Sequence, residues 1–156
     1  MNKTKIIQSS SQYKKDRRFG IQYEKLLLEY LNKNNTHDEK IIQRTEQHAQ
    51  IDYYSKNWEI ELKTRRCYKN SYPDLMMGKN KLTIAEKTHK NTRFYWIFKD
   101  GVYYWDFEPN PENDDEEIKY YFKNGGRTDR GVDERKLLGY VFTDNLKLLT
   151  TDIKSH

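Results

Sequence analysis

Residues 51–66 read IDYYSKNWEIELKTRR, and this stretch decides how the middle of the chain folds. From residue 58 onward apolar and polar residues alternate, which is typical of a β-strand with one packed face. The polar side carries two acids followed by two bases, Glu59, Glu61, Lys63 and Arg65. Such a face is either a solvated strand surface with ion pairs or half of a catalytic site.

The segments before this strand place a second acid near it. We expect short strands at Lys40–Thr45 and His48–Tyr54, a turn at 55–57 and a third strand at Trp58–Arg65. If the second and third strands pair as a hairpin, Asp52 comes close to Glu61. Two converging carboxylates are costly unless a cation lies between them, and Mg²⁺ is suited to a site with few carboxylates.

The order of elements predicts an α/β or α+β domain with a mixed central β-sheet flanked by helices. Apolar spacing of three and four predicts a helix from Arg17 to about Asn32, and a second helix lies within 74–90. Asp100-Gly101 predicts a hairpin over 92–107, and 137–149 forms a final strand and a short last element. We expect residues 1–16 to be a polar, basic lead-in and 17–156 to be one domain.

Charge is distributed unevenly along the 156 residues, whose formal net charge is +5. Residues 61–93 hold nine bases and three acids, whereas 108–117 (EPNPENDDEE) hold six acids and no base. A basic surface of this kind suits a polyanion, of which nucleic acid is the commonest. The acidic loop suits a contact with a protein partner instead.

Cysteine content and hydropathy bear on the compartment. Cys67 is the single cysteine, so no intramolecular disulfide forms, and a reducing, intracellular location is expected, in cytoplasm or nucleus. No apolar run reaches the length of a membrane span, which predicts a soluble protein without a membrane partner.

The acids and the lysine around the third strand resemble a known motif. "ID" at 51–52 followed by "ELK" at 61–63 resembles the PD-(D/E)xK nuclease superfamily, with Ile51 in place of the motif's proline. The G-x₃-E pattern from Gly20 to Glu24 is similar to the metal-proximal glutamate that family members often carry on the first helix. The resemblance covers about residues 17–107 and implies a restriction-endonuclease-like core.

The resemblance also implies an activity, an endonuclease that hydrolyses phosphodiester bonds in DNA with Mg²⁺, or with Mn²⁺ as a substitute. It implies Asp52, Glu61 and Glu24 as metal ligands, and Lys63 as catalytic base or charge stabiliser. It is compatible with a homodimer. The bases expected to contact phosphate are Arg65, Arg66, Lys69, Lys79, Lys81 and Lys87.

Other functions and roles stay open at this point. The protein could be a nucleic-acid-binding module without catalysis, an RNA endonuclease, or an interaction domain. Glu59 is expected to be a solvated acid or a partner for Arg65. Tyr68 and Tyr72 are candidates for touching a base. The histidines are expected to be structural or surface residues, His37 among them in a polar loop.

Overall fold

The computed structural model describes residues 3–46, 49–125 and 136–156. Within these residues the chain forms two α-helices and nine strands. The helices are α1 (Lys3–Lys33) and α2 (Lys79–Lys87). The strands are β1 (Ile42–Gln43), β2 (Tyr53–Tyr54), β3 (Trp58–Thr64), β4 (Asp74–Gly78), β5 (Asn91–Phe98), β6 (Gly101–Asp106), β7 (Tyr120–Gly125), β8 (Lys136–Phe142) and β9 (Lys147–Thr150).

Two sheets organise these strands. The larger has the order β1-β2-β3-β5-β6-β9, and the smaller has the order β4-β8-β7. In the larger sheet β3 and β5 are parallel, and the other pairs are antiparallel. Because parallel neighbours need a long crossover, the chain passes through β4 and α2 between them. The prediction of an α/β fold with a mixed central sheet and helices is confirmed.

Both faces of the large sheet are covered, each by a different core. On one face α1 contributes Leu27 and Leu31, which pack with Ile60 of β3 and Ile97 of β5. On the other face α2 and the small sheet pack against Phe94, Trp96 and Trp105, with Leu82 at the centre. The polar side chains of β3 therefore lie between layers, where burial forces each charge to find a partner.

The first helix is longer than the sequence pattern predicts. It begins at Lys3, whereas the apolar stripe predicted a start at Arg17 and a lead-in over 1–16. Lysine and glutamine have high helix propensity, so a helix can extend beyond the part that packs on the core. The apolar stripe marked the part of α1 that contributes Tyr23, Leu27 and Leu31 to the core.

The helix predicted within 74–90 forms as α2, but the strand that precedes it was not predicted. Asp74–Gly78 is strand β4, and α2 begins only at Lys79. Leucine and methionine favour helices, which is why the segment reads as one. In the structure β4 pairs with β8, with Met76 opposite Tyr140, and this distant partner overrides local propensity.

The hairpin expected at the motif forms, with shorter strands. Tyr53 pairs with Ile60 and Tyr54 with Glu59, in the antiparallel register that the sequence required. The ladder ends at Tyr53, and His48, within the strand expected at His48–Tyr54, lies outside the described residues. The hairpin at 92–107 and the final strands also form as predicted.

Among the described residues, none of the helices has the length and apolarity that crossing a bilayer requires.

Candidate functional site

The site lies where the β2–β3 hairpin stops pairing. One position past the last ladder pair, Asp52 stands opposite Glu61, and its backbone N–H donates to Glu61 Oε2 at 3.3 Å. The Asp52 carbonyl accepts from the Arg44 N–H at 2.7 Å, which fixes this end of the hairpin. The short ladder thus brings the two acids of the sequence motif together.

Glu61 is the buried centre of the site, with 0% of its surface exposed. Its Oε1 lies 3.3 Å from Lys63 Nζ and 3.2 Å from Lys81 Nζ. These two contacts are ion pairs, and the same oxygen accepts no well-formed hydrogen bond from the described residues. A carboxylate buried in this way is neutralised by two ammonium groups and retains unused acceptor capacity.

Glu24 joins the site from α1. The pKa of Glu24 is raised to about 7, chiefly by burial. The Lys63 ammonium opposes this shift, and the Glu61 and Asp52 carboxylates contribute to it. A Cβ built at Gly20, one turn earlier in the helix, would lie 3.6 Å from Glu24 Oε1. The helix therefore carries its glutamate within the electrostatic field of the motif on β3.

Tyr53 borders the same group of acids. Burial raises the pKa of Tyr53 to about 12, and the carboxylates of Glu24, Asp52 and Glu61 add to this shift. The phenol stays neutral at physiological pH, so Tyr53 contributes packing and a polar hydroxyl. Sequence analysis did not single out this residue, although it directly follows Asp52 in the motif.

Glu59 lies on the same face of β3 but belongs to a different cluster. Its carboxylate makes a bidentate pair with Arg44, at 2.5 and 2.8 Å, and Lys90 Nζ lies 3.8 Å away. Glu59 is 7% exposed, so the expectation of a solvated acid, or of a partner for Arg65, is wrong. Arg44 lies just after β1, and its pairing with Glu59 followed from no local sequence pattern.

Of the six bases expected at phosphate, Lys81 is the one that the structure places in contact with Glu61. It stands in the first turn of α2, and its ammonium also donates to the Gln50 carbonyl. Lys79 and Lys87 are exposed on the same helix. α2 therefore presents one lysine to the acids and two to solvent.

The remaining three bases of that set lie in the segment after β3. Arg65 donates to the carbonyls of Thr64 and Met76, at 3.1 and 3.2 Å. Arg66 is exposed and places its guanidinium 3.8 Å from the centre of the Phe19 ring. The backbone N–H of Lys69 donates to Asp100 at 3.0 Å, near the turn between β5 and β6.

His37 lies in the turn after α1, as expected, but it is buried, so the expected polar setting is wrong. It is 3% exposed, and its Nε2 lies 2.6 Å from the Tyr95 hydroxyl. Burial lowers its pKa to about 4, and the nearby Arg93 guanidinium adds to the shift. The ring packs edge-on against Trp58, which makes it a structural neutral histidine.

The carboxylates and other possible ligands near Glu61 determine what kind of metal site could form there. In residues 3–46, 49–125 and 136–156, no three carboxylate, imidazole or thiol groups are grouped closely enough to hold a metal ion. Mg²⁺ is commonly bound through one or two carboxylates with waters and substrate phosphate completing its shell. Asp52 and Glu61 fit that sparse type of site, because Glu61 Oε1 is buried with acceptor capacity left over.

Comparisons of the chain with protein-family models, with characterised proteins and with solved structures found no match.

Proposed function

We propose that this protein is a metal-dependent endonuclease that hydrolyses phosphodiester bonds in DNA, built on a restriction-endonuclease-like core. One observation carries the proposal: Glu24, Asp52, Glu61 and Lys63 come from three separate elements and interact at the point where the hairpin ladder ends. A strand surface with ordinary ion pairs has no need to bury Glu61 completely beside two other acids.

The proposed roles follow from the geometry. Asp52 and Glu61 would hold Mg²⁺ or Mn²⁺, with Glu24 next to them. A bound cation supplies Lewis acidity and lowers the pKa of its water. The Lys63 ammonium, with 32% of its side chain exposed, would orient the attacking water or stabilise phosphate charge in the transition state. Lys81 would anchor the scissile phosphate from α2.

A second candidate, a nucleic-acid-binding module without catalysis, is favoured by one specific contact. Lys63 and Lys81 both lie against the same oxygen of Glu61, so their charges neutralise the carboxylate without any metal. If that arrangement is permanent, the two lysines serve the fold and the phosphate surface alone. A cleavage assay therefore distinguishes a nuclease from a binding module.

The decisive experiment measures cleavage of supercoiled plasmid, single-stranded DNA, branched DNA and RNA, with Mg²⁺, Mn²⁺ or EDTA. We expect metal-dependent cleavage of DNA by the wild type and none by Glu61→Gln or Lys63→Ala. Glu59→Gln is the matched control, because it changes an equally buried acid on the same strand face without touching the site. Binding to all four substrates without any cleavage would refute the nuclease and favour the binding module.

Metal binding has its own readout. We expect Mn²⁺ to raise the melting temperature of the wild type and of Glu59→Gln, because a ligand that binds only the folded state stabilises it. Glu61→Gln should lose this shift. Sedimentation with and without a DNA substrate tests the associated proposal that the protein works as a homodimer.

A further inference from the structure

A second concave surface lies beside the acidic site, on the small sheet. It is a cavity of about 250 Å³ between the segment that follows β3 and the outer face of β4 and β8. We call it the side cavity. The wall residues that matter for its chemistry are Arg65, Cys67, Tyr72, Pro73, Met76 and Tyr140.

One wall of the side cavity is aromatic and has charges of both signs beside it. The Asp74 carboxylate lines the cavity and accepts from the Tyr121 hydroxyl, and the Lys123 ammonium lies next to Tyr140. Tyr140 stacks on Tyr121, with ring centres 5.2 Å apart and planes inclined by 16°. The Lys123 ammonium lies 4.9 Å from the centre of the Tyr140 ring. Flat rings beside a cation form the surface on which nucleic-acid bases stack while a neighbouring phosphate is neutralised.

Tyr72, which is 60% exposed, also lines the side cavity. Its backbone is held in place, because the Thr143 hydroxyl donates to the carbonyls of Tyr72 and Pro73, each at 3.0 Å. The Thr143 N–H also donates to the Pro73 carbonyl at 3.0 Å. Among the described residues its ring has no aromatic partner, so an exposed tyrosine stands on a fixed backbone facing a cavity.

Arg65 connects the side cavity to the acidic site. It follows Lys63 by two residues, a separation of roughly 7 Å along an extended chain. Its guanidinium lines the side cavity and donates to the Met76 carbonyl there, at 3.2 Å. Its charge also acts on Glu24, whose pKa it lowers. Arg65 therefore lies between the acids and the side cavity, and a strand with its phosphate at the acids would have the cavity beside it.

We propose that the side cavity binds one unpaired nucleobase of the nucleic-acid strand whose phosphate lies at the acidic site. The base stacks on Tyr140 and is covered by Tyr72, and Arg65 and Lys123 face the adjoining phosphates. A paired and stacked base cannot enter such a cavity, so the substrate is a single strand or the unpaired part of a duplex. This inference rests on the proposed function for the choice of a nucleic-acid ligand.

The test measures binding of a short single-stranded oligonucleotide containing one 2-aminopurine, in EDTA so that no cleavage occurs. We expect quenched 2-aminopurine fluorescence with the wild type, and roughly 10-fold weaker binding with Tyr72→Leu or Tyr140→Leu. Tyr140→Phe keeps the ring and should bind like the wild type. Tyr68, the other tyrosine expected to touch a base, is 58% exposed in the same segment but does not line the cavity, so Tyr68→Leu should bind like the wild type. A loss as large as that of Tyr72→Leu would place the base outside the side cavity.

An oligonucleotide series with one abasic position tests the contact directly. At one abasic position the wild type should lose about the same affinity as the tyrosine variants lose on the intact strand. On that abasic strand, Tyr72→Leu and Tyr140→Leu should cause no further loss of affinity. Unchanged affinity in both leucine variants, or tighter binding to the fully paired duplex, overturns the proposal. DNA and RNA versions of the strand separate the two polymers.

The outcome for the side cavity is distinct from the outcome for the nuclease. A protein that cuts no substrate with any metal, but loses strand binding in Tyr72→Leu, refutes the nuclease and retains the base site. A protein that cuts DNA while both leucine variants bind and cut normally retains the nuclease and refutes the base site.

Discussion

Two glutamates on one face of β3 have different environments, although they are two residues apart. Glu59 is paired bidentately with Arg44, whereas Glu61 faces two lysines and the Asp52 backbone. Both are buried, so burial alone does not distinguish the acid proposed for catalysis. The partners do, because the forked guanidinium engages both oxygens of Glu59, whereas Glu61 Oε1 has ion-pair contacts but no well-formed hydrogen bond from the described residues.

Glu59→Ala tests this division. We expect a loss of about 2 kcal/mol in the free energy of unfolding, because Arg44 would stay partly buried without its carboxylate. Urea denaturation measures the loss, and cleavage per folded molecule should be unchanged. If the folded variant loses cleavage as Glu61→Gln does, Glu59 belongs to the catalytic site.

His37 predicts a pH dependence of stability. Its pKa falls from 6.5 to about 4 on folding, so between these values the unfolded chain binds a proton that the folded chain does not. The stabilisation is fully present above pH 6.5 and is lost as the pH falls towards 4, in total about 3 kcal/mol. In His37→Phe this part of the pH slope should disappear, measured by urea denaturation at pH 5 and 7.5. An unchanged slope would mean that other groups cause it.

At the residue scale, the sequence contained the motif acids and Lys63, because strand alternation and a short turn suffice to bring them together. Neither the Arg44–Glu59 pair nor the burial of His37 against Tyr95 could be predicted. Each joins positions whose approach depends on how α1 and the hairpin dock. No local pattern encodes that docking.

At the scale of elements, the site depends on two helices that face opposite sides of one strand. α1 carries Glu24 and α2 carries Lys81, and each helix touches the sheet near a glycine. The two glycines differ in the space around them. Substituting each by alanine therefore gives opposite predictions.

Gly20→Ala should stabilise the protein by roughly 0.5–1 kcal/mol. The position is inside α1, where alanine is the better helix former, and the added Cβ would make an ordinary 3.6 Å contact with Glu24. Thermal unfolding measures the gain. A fall in melting temperature would show that the helix packs more tightly at Gly20 than the structure indicates.

Gly139→Ala should destabilise by roughly 1–3 kcal/mol, since the added Cβ would clash with Leu82 at the centre of α2. Either the Leu82 side chain changes its rotamer in the core or α2 moves, and movement of α2 would carry Lys81 with it. Cleavage should then fall further than the loss of folded protein explains. Leu82→Ala in the same chain makes room for the Cβ and should recover part of the cleavage. If cleavage does not recover, the position of α2 does not control catalysis.

Strand β4, which was not predicted, shows where element prediction fails. Leu75 and Met77 point into the core and Met76 points outward, a period of two that is visible only once β8 lies beside it. In four or five residues, a helix and a strand with these side chains look alike. The partner strand lies more than fifty residues away, beyond any local window.

At the scale of the whole molecule, exposed lysines on α2 should set the salt dependence of nucleic-acid binding. Lys79→Ala and Lys87→Ala should each lower the slope of log affinity against log salt by about 1, since each removes one phosphate contact. Lys147→Ala on edge strand β9 is the matched exposed control and should leave the slope unchanged. If all three variants show the same slope, the nucleic-acid strand does not pass over α2.

The break in the β2–β3 ladder also gives the site a spectroscopic reporter. The Asp52 amide donates to the Glu61 carboxylate instead of to a strand, so its proton resonance follows the charge state and occupancy of that carboxylate. Titration with a diamagnetic cation should shift this one amide signal before neighbouring ladder amides respond. Asp52 lies one position past the ladder and is exposed to solvent, so the same signal reports on the part of the site that a cation would enter from solution.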